Sequence, residues 1–184
     1  MRQNWQMWQG RIPPEECDDL VERLRVIPPV VAQTFNHQGG VSNNDLRKSN
    51  VRWVEDLDVK AMLFWYAKEA NRNAFGFDVT DCGSVQFTEY SSDYRGKYDV
   101  HHDIDWNGQA LFDRKISVVV QLSDPRYYEG CDFRFSETEN PDANALKEKG
   151  TILCFPSYLR HGVTEITKGT RYSLVAWFEG PRWR

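Results

Sequence analysis

From Cys82 to the C-terminus the chain breaks into short runs of alternating side chains separated by turn residues, and this pattern restricts the fold more than any other feature. The spacing predicts strands over 85–90, 98–104, 115–122, 131–135, 150–154, 160–165 and 171–179, with one more near 143–147. Such a set of short antiparallel strands points to a double sheet of the jelly-roll type. Before residue 81 the pattern is mostly helical. Pro13-Pro14-Glu15-Glu16 reads as a helix start, because proline fits the first turn and acids favour its exposed N–H groups. Cys17, Leu20, Val21 and Leu24 then recur at helical spacing until Pro28-Pro29 stops the helix. A second helix is expected over 58–74, its wide apolar surface (Ala61, Met62, Phe64, Trp65) suited to burial against a sheet. The expected architecture is mainly β with flanking helices. One domain spans 1–184, with 1–80 as helical support and lid and 81–184 as a jelly-roll core.

Chemistry-bearing residues cluster on these strands. With 97–104 extended, His101 and Asp103 project to one side and His102 to the other. Two ligands hold a divalent ion weakly, and His161, after the turn at Pro156-Ser157, is the third candidate. Two histidines and a carboxylate on one side of a metal, with the opposite positions open, suit a non-haem Fe(II) oxygenase. Ten residues beyond His161, Arg171 opens the strand RYSLVAWF, where alternation puts Arg171, Ser173, Val175 and Trp177 on one face. A guanidinium is costly to bury unpaired, so an interior carboxylate gives it a reason to point inward. On the strand over 114–122, Ser117, Val119 and Gln121 share a face.

The ordered set resembles the Fe(II)- and 2-oxoglutarate-dependent dioxygenases, in particular their prolyl 4-hydroxylase-like branch, from about Val85 to the C-terminus. It comprises Tyr90, Gly96 and Tyr98 before His101-x-Asp103, RKISVVVQLSD at 114–124, YYEGCDFRF at 127–135, and His161 with Arg171-Tyr172-Ser173 and Trp177. The resemblance implies a double-stranded β-helix buttressed by the two helices, with Fe(II) held by His101, Asp103 and His161. It also implies 2-oxoglutarate as co-substrate, O2, and ascorbate as a reductant. Arg171 would meet the distal carboxylate of 2-oxoglutarate, with Ser173 adding a hydroxyl. Relatives often carry an aromatic hydroxyl at the Gln121 position, where this chain has an amide; Tyr90 is the other candidate donor. Tyr98, Arg114 and Trp177 are candidates to line the substrate cleft. Cys131 stands where relatives commonly have a second glycine. The implied reaction couples decarboxylation of 2-oxoglutarate to hydroxylation of an unactivated C–H bond, on a prolyl or other peptidyl side chain. A free amino acid or small metabolite is the alternative substrate within the superfamily. A non-catalytic jelly-roll binding module is a third reading, disfavoured by an interior arginine beside a metal triad.

Composition narrows the setting. A chain of 184 residues, 40% hydrophobic, is long enough for one real core. The formal charge of −4 argues against a general phosphate-binding surface, so no nucleic-acid partner is expected. No apolar run reaches membrane-spanning length, and the start lacks a signal-peptide pattern. The cysteines at 17, 82, 131 and 154 show no CxxC pairing, which points to free thiols and a cytoplasmic location. Trp5 and Trp8 suggest a short edge strand. The segment from Val30 to Asn50, with Gly39-Gly40, reads as a long loop or loose hairpin and is the candidate substrate lid, with His37 a solvated residue inside it.

Overall fold

The alternating runs pair into antiparallel sheets whose two faces differ in chemistry. The structure, a computed structural model, describes residues 3–32, 34–36, 39–41, 46–106, 108 and 110–184. The first part of the chain forms β1 (Gln6–Trp8), α1 (Pro14–Arg25), β2 (Val30–Val31), β3 (Thr34–Asn36), β4 (Gly39–Val41), β5 (Arg47–Lys48), β6 (Asn50–Trp53) and α2 (Leu57–Ala70). There follow β7 (Asp81–Ser91), β8 (Lys97–His101), β9 (Phe112–Gln121), β10 (Tyr128–Gly130), β11 (Phe133–Phe135), α3 (Ala143–Lys147), β12 (Ile152–Pro156), β13 (His161–Val163) and β14 (Ile166–Pro181). A large sheet runs in the order β1-β12-β9-β14-β7-β6-β2, with β10 also paired to β14. A smaller sheet runs β11-β13-β8-β5, and β3 pairs with β4.

Strand alternation sorts the large sheet into an apolar and a polar face. Ile116, Val118 and Val120 of β9 join Leu174, Ala176 and Phe178 of β14, Val85 and Phe87 of β7, and Ile152 and Cys154 of β12 in one core. Helix α1 covers this face through Cys17, Leu20 and Leu24, and α2 through Leu63, Ala67 and Ala70. The helices therefore buttress the sheet from outside, as expected. The intervening positions are also buried, yet polar: Gln86 and Thr88 on β7, Ser117 and Gln121 on β9, Arg171 and Ser173 on β14. In register, Arg171 lies opposite Tyr90, Ser173 opposite both Thr88 and Gln121, and Trp177 opposite Ser117. Water-starved polar side chains require partners, and this face carries the candidate site.

Local chemistry explains where helices begin and where expectation and structure differ. Asp56 caps α2 by accepting from the backbone N–H of Asp58 and Val59 at 3.0 and 3.1 Å. The expected helix over 58–74 is α-helical to Ala70 and continues as a wider π turn, Asn71–Phe75, closing on Gly76 at φ 67°. The strand expected near 143–147 is instead the short helix α3. Its residues Ala-Asn-Ala-Leu-Lys include good helix formers, and Asp142 caps it by accepting from Asn144 and Ala145 N–H. Strand β8 stops at His101, short of the expected residue 104, so Asp103 lies in a bend. As expected, β1 pairs with the edge of β12, and Trp8 meets Tyr66 edge-on at 5.1 Å. Part of the segment from 30 to 50 is hairpin (β3–β4), while His37 and positions 33, 38 and 42–45 fall outside the described residues. All four cysteines are free thiols. Among the described residues no helix is long and apolar enough to cross a membrane.

Candidate metal centre and co-substrate pocket

In the smaller sheet, β13 pairs with β8 so that His161 lies opposite His101, with ring centroids 4.4 Å apart. Asp103 reaches the same point from the bend after β8, held there by its N–H donating to the Ser157 carbonyl at 2.9 Å. The three side chains offer ligand atoms within 4.8 Å of one another. His102 is exposed and turned away near Trp106.

The ring nitrogens show what the cluster is built for. His101 Nδ1 lies 2.8 Å from the Asp99 carbonyl and His161 Nδ1 2.9 Å from the Leu159 carbonyl. Carbonyl oxygens only accept, so both protons sit on Nδ1 and both Nε2 lone pairs are free. Those Nε2 atoms face the two Asp103 oxygens at 3.5 and 3.6 Å, too far for good hydrogen bonds. Lone pairs facing a carboxylate repel, and a cation between them reverses that; the donor set fits a divalent metal. Burial lowers the His161 pKa to about 4, against the pull of Asp103, so its ring stays neutral. Burial would raise the Asp103 pKa; His161 and His101, whenever their rings carry a second proton, and the Arg114 guanidinium act against it and hold the carboxyl well below its usual range.

A serine pair supports the carboxylate. Ser117 Oγ donates to Asp103 Oδ2 at 2.6 Å and lies 2.9 Å from Ser157 Oγ. An ionised carboxylate accepts only, so the order is fixed: Ser157 donates to Ser117, and Ser117 donates to Asp103.

A cavity of about 350 Å³ is lined by Arg171, Gln121, Tyr128, Cys131, Asp132, Phe133 and Lys147 among others, and the Phe133 ring also lies 5.4 Å from His161. Arg171 is buried; its Nε donates to Gln121 Oε1 at 2.8 Å, and its Nη1 lies 3.9 Å from Cys131 Sγ. No carboxylate lies within 4.0 Å of its guanidinium among the described residues. A buried guanidinium with no carboxylate partner of its own among the described residues fits an anionic ligand, since Asp132 in the cavity wall is paired with Lys147. Cys131 has φ 54°, the left-handed region that favours glycine.

Of the other residues singled out from sequence, Ser173 is buried on the same face, and Tyr90 packs under Arg171, its ring 5.9 Å from the guanidinium carbon. Burial pushes Tyr90 up to about 12, with Arg47 and Arg171 pulling the other way. Tyr98 stacks on His101 at 3.5 Å between centroids, and Arg114 lies 3.8 Å over the Trp177 ring. Trp177 Nε1 and Thr88 Oγ1 are buried without a hydrogen-bond partner. Sequence reasoning missed Ser157, Tyr128 and Arg47. Buried Arg47 lies 4.5 Å over Tyr98, on the ring that covers His101, and bonds Ser49 and Gln86. Its cue was the Arg-x-Ser spacing of Arg47 and Ser49, the same that places Arg171 with Ser173.

A fold of this kind, with a two-histidine, one-carboxylate cluster beside a buried arginine, defines a class of metal-dependent oxygenases. Residues 85–179 match the 2OG-Fe(II) oxygenase superfamily, and the chain belongs to it. Curated relatives include a PKHD-type hydroxylase of Synechococcus sp., 31% identical over 94 residues, which cover 51% of this chain and 41% of the relative. A PKHD-type hydroxylase of Gloeothece citriformis is 22% identical over 170 residues, covering 90% of this chain and 72% of the relative. The chain thus spans about 41% of the length of the Synechococcus relative. Among solved structures, a Pseudomonas putida prolyl-4-hydroxylase superposes with TM-score 0.71 at 16% identity, covering 98% of this chain and 94% of that one. A Trichoplax adhaerens prolyl hydroxylase, in complex with a hypoxia inducible factor oxygen degradation domain peptide fragment, gives 0.72 at 15%, covering 95% and 83%. These structures share the fold.

Proposed function

We propose that this chain is an Fe(II)- and 2-oxoglutarate-dependent hydroxylase of a peptidyl side chain, proline foremost, built on a double-stranded β-helix. The observation that carries the reading is the pairing of two Nε2 lone pairs and a charged carboxylate with a buried arginine that lines a cavity and has no carboxylate partner among the described residues. His101, Asp103 and His161 would hold the iron, and Arg171, with Ser173 and Tyr90 nearby, the co-substrate. Bound Fe(II), 2-oxoglutarate and O2 together supply oxidative decarboxylation and the oxidant for C–H hydroxylation. The chain's own work is to orient and to exclude water. Nδ1 hydrogen bonds fix both imidazoles, Ser117 fixes the carboxylate, and Phe133 and Phe155 flank His161 at 5.4 and 4.7 Å. Tyr98, Arg114 and Trp177 would line the substrate side, and the segment from 30 to 50 would cover it. The prolyl hydroxylase structures above support a peptide substrate, as do the PKHD-type relatives a hydroxylase.

The test is anaerobic loading with Fe(II) and 2-oxoglutarate, then air, with succinate measured in the presence of proline-containing peptides. Peptide-stimulated succinate and a peptide mass gain of one oxygen are expected. Succinate stimulated only by free amino acids would move the substrate to the small-metabolite class.

A further inference from the structure

The hydrogen bonds around Arg171 leave Gln121 with no N–H to offer an anionic ligand. Its amide has one acceptor oxygen and two N–H donors. The oxygen accepts from Arg171 Nε at 2.8 Å. The nitrogen donates to the Ser123 carbonyl and to Tyr128 Oη, each at 2.9 Å. The amide cannot be turned round, because a guanidinium only donates and a carbonyl only accepts. Both N–H groups are therefore committed before any ligand arrives.

Tyr128 comes from β10 and lines the same cavity as Arg171. Its oxygen already accepts from Gln121 and faces the donor-only guanidinium of Arg171. Among the described residues no acceptor takes the phenolic proton, although the side chain is 96% buried, being only 4% exposed. Burial raises its pKa, so the proton is in place at neutral pH. A buried O–H without an acceptor, beside a guanidinium without a counter-ion, is half of a carboxylate site.

We propose that Tyr128 is the hydroxyl donor to the distal carboxylate of 2-oxoglutarate, and that Gln121 is a positioning residue that locks Arg171 and Tyr128 together. The inference rests on the 2-oxoglutarate reading above and assigns its specificity. Tyr128 supplies from β10 a phenol that the Gln121 position of β9 lacks. Lys147, 5.7 Å over the Tyr128 ring and paired with Asp132, lines the same cavity.

The experiment is calorimetric titration of the Mn(II)-loaded protein, without turnover, by 2-oxoglutarate and by 2-oxopentanoate, which lacks the distal carboxylate. Tyr128→Phe removes one oxygen and should weaken 2-oxoglutarate by about tenfold or more, the effect of losing a charge-assisted hydrogen bond. Affinity for 2-oxopentanoate and for Mn(II) should not change. Tyr128→Met removes the same donor and refills the space, and it gives the same reading if the phenylalanine variant does not fold. An unchanged ratio of the two affinities in either folded variant overturns the assignment. Wild-type protein that binds Mn(II) but not 2-oxoglutarate would instead overturn the co-substrate reading itself, and this assignment with it. For Gln121, the Gln121→Met change should loosen 2-oxoglutarate, and adding Tyr128→Phe should cost little more, because the clamp acts through Tyr128. Fully additive losses would overturn the role of Gln121 in positioning Tyr128.

Discussion

Ser117→Ala isolates the support of the carboxylate ligand. The substitution deletes one oxygen from a fully buried residue, and with it the 2.6 Å bond to Asp103 Oδ2. Hydrogen bonds to charged groups contribute about 1.5–3 kcal/mol, and loss of such a support to a metal ligand lowers affinity about 10- to 100-fold. Ser157→Ala removes only the neutral bond at 2.9 Å between the two hydroxyls, worth about 0.5–1.5 kcal/mol. Metal affinity should therefore fall in the order wild type, Ser157→Ala, Ser117→Ala, read by anaerobic Fe(II) titration or by Mn(II) competition. The Ser157 backbone carbonyl that holds the Asp103 N–H survives both substitutions, so the geometry of the bend is not the variable. Equal losses, or the reverse order, would show that the hydroxyl chain does not run toward Asp103.

His101→Ala, Asp103→Ala and His161→Ala should each abolish Mn(II)-induced thermal stabilisation. In wild type, metal at a hundredfold excess over its Kd should add about 2.7 kcal/mol by mass action. His102→Ala should retain it; loss there with retention in His101→Ala would reverse the assignment of the ligands. Arg171→Ala should weaken 2-oxoglutarate by about 2–5 kcal/mol and leave metal affinity unchanged, since the guanidinium is buried with no carboxylate partner among the described residues; unchanged affinity would remove it from the pocket. Leu63→Ala, at a fully buried position between α2 and the sheet, should cost about 2–5 kcal/mol in chemical denaturation while metal affinity holds.

The strand pattern after residue 81 and the two supporting helices were legible because each depends on spacing along one chain segment, whereas the candidate ligands His101, Asp103 and His161 come together only through the pairing of two distant strands. Alternation is local, and it places Arg171 with Ser173 and Ser117 with Gln121 from the sequence alone. The strand proposed near 143–147 failed on equally local grounds, since Asp142 and two alanines favour a helix. What was not legible depends on pairing between distant segments. Asp103 reaches His101 through a bend pinned by Ser157, fifty-four residues on (157 − 103), and not through continued strand alternation. Arg47 sits in a segment without periodicity, and its burial follows from β5 pairing with β8. Tyr128 lies in a three-residue strand whose partner is β14, so nothing near it in sequence announces that it faces Arg171.

Strand β9 shows how one segment serves both stability and chemistry. Ile116, Val118 and Val120 point to the helices, while Ser117 bonds Asp103 and Gln121 bonds Arg171 on the other face. A single-residue slip in its pairing with β14 would exchange the two sets, placing serine and glutamine in the apolar core and valine against Asp103. Each exchange is penalised on both faces: buried hydroxyl and amide groups would lose their partners, and the carboxylate would lose its donor. The register that builds the core is therefore the register that assembles the site. The polar residues of the inner face are kept in position by the apolar residues between them.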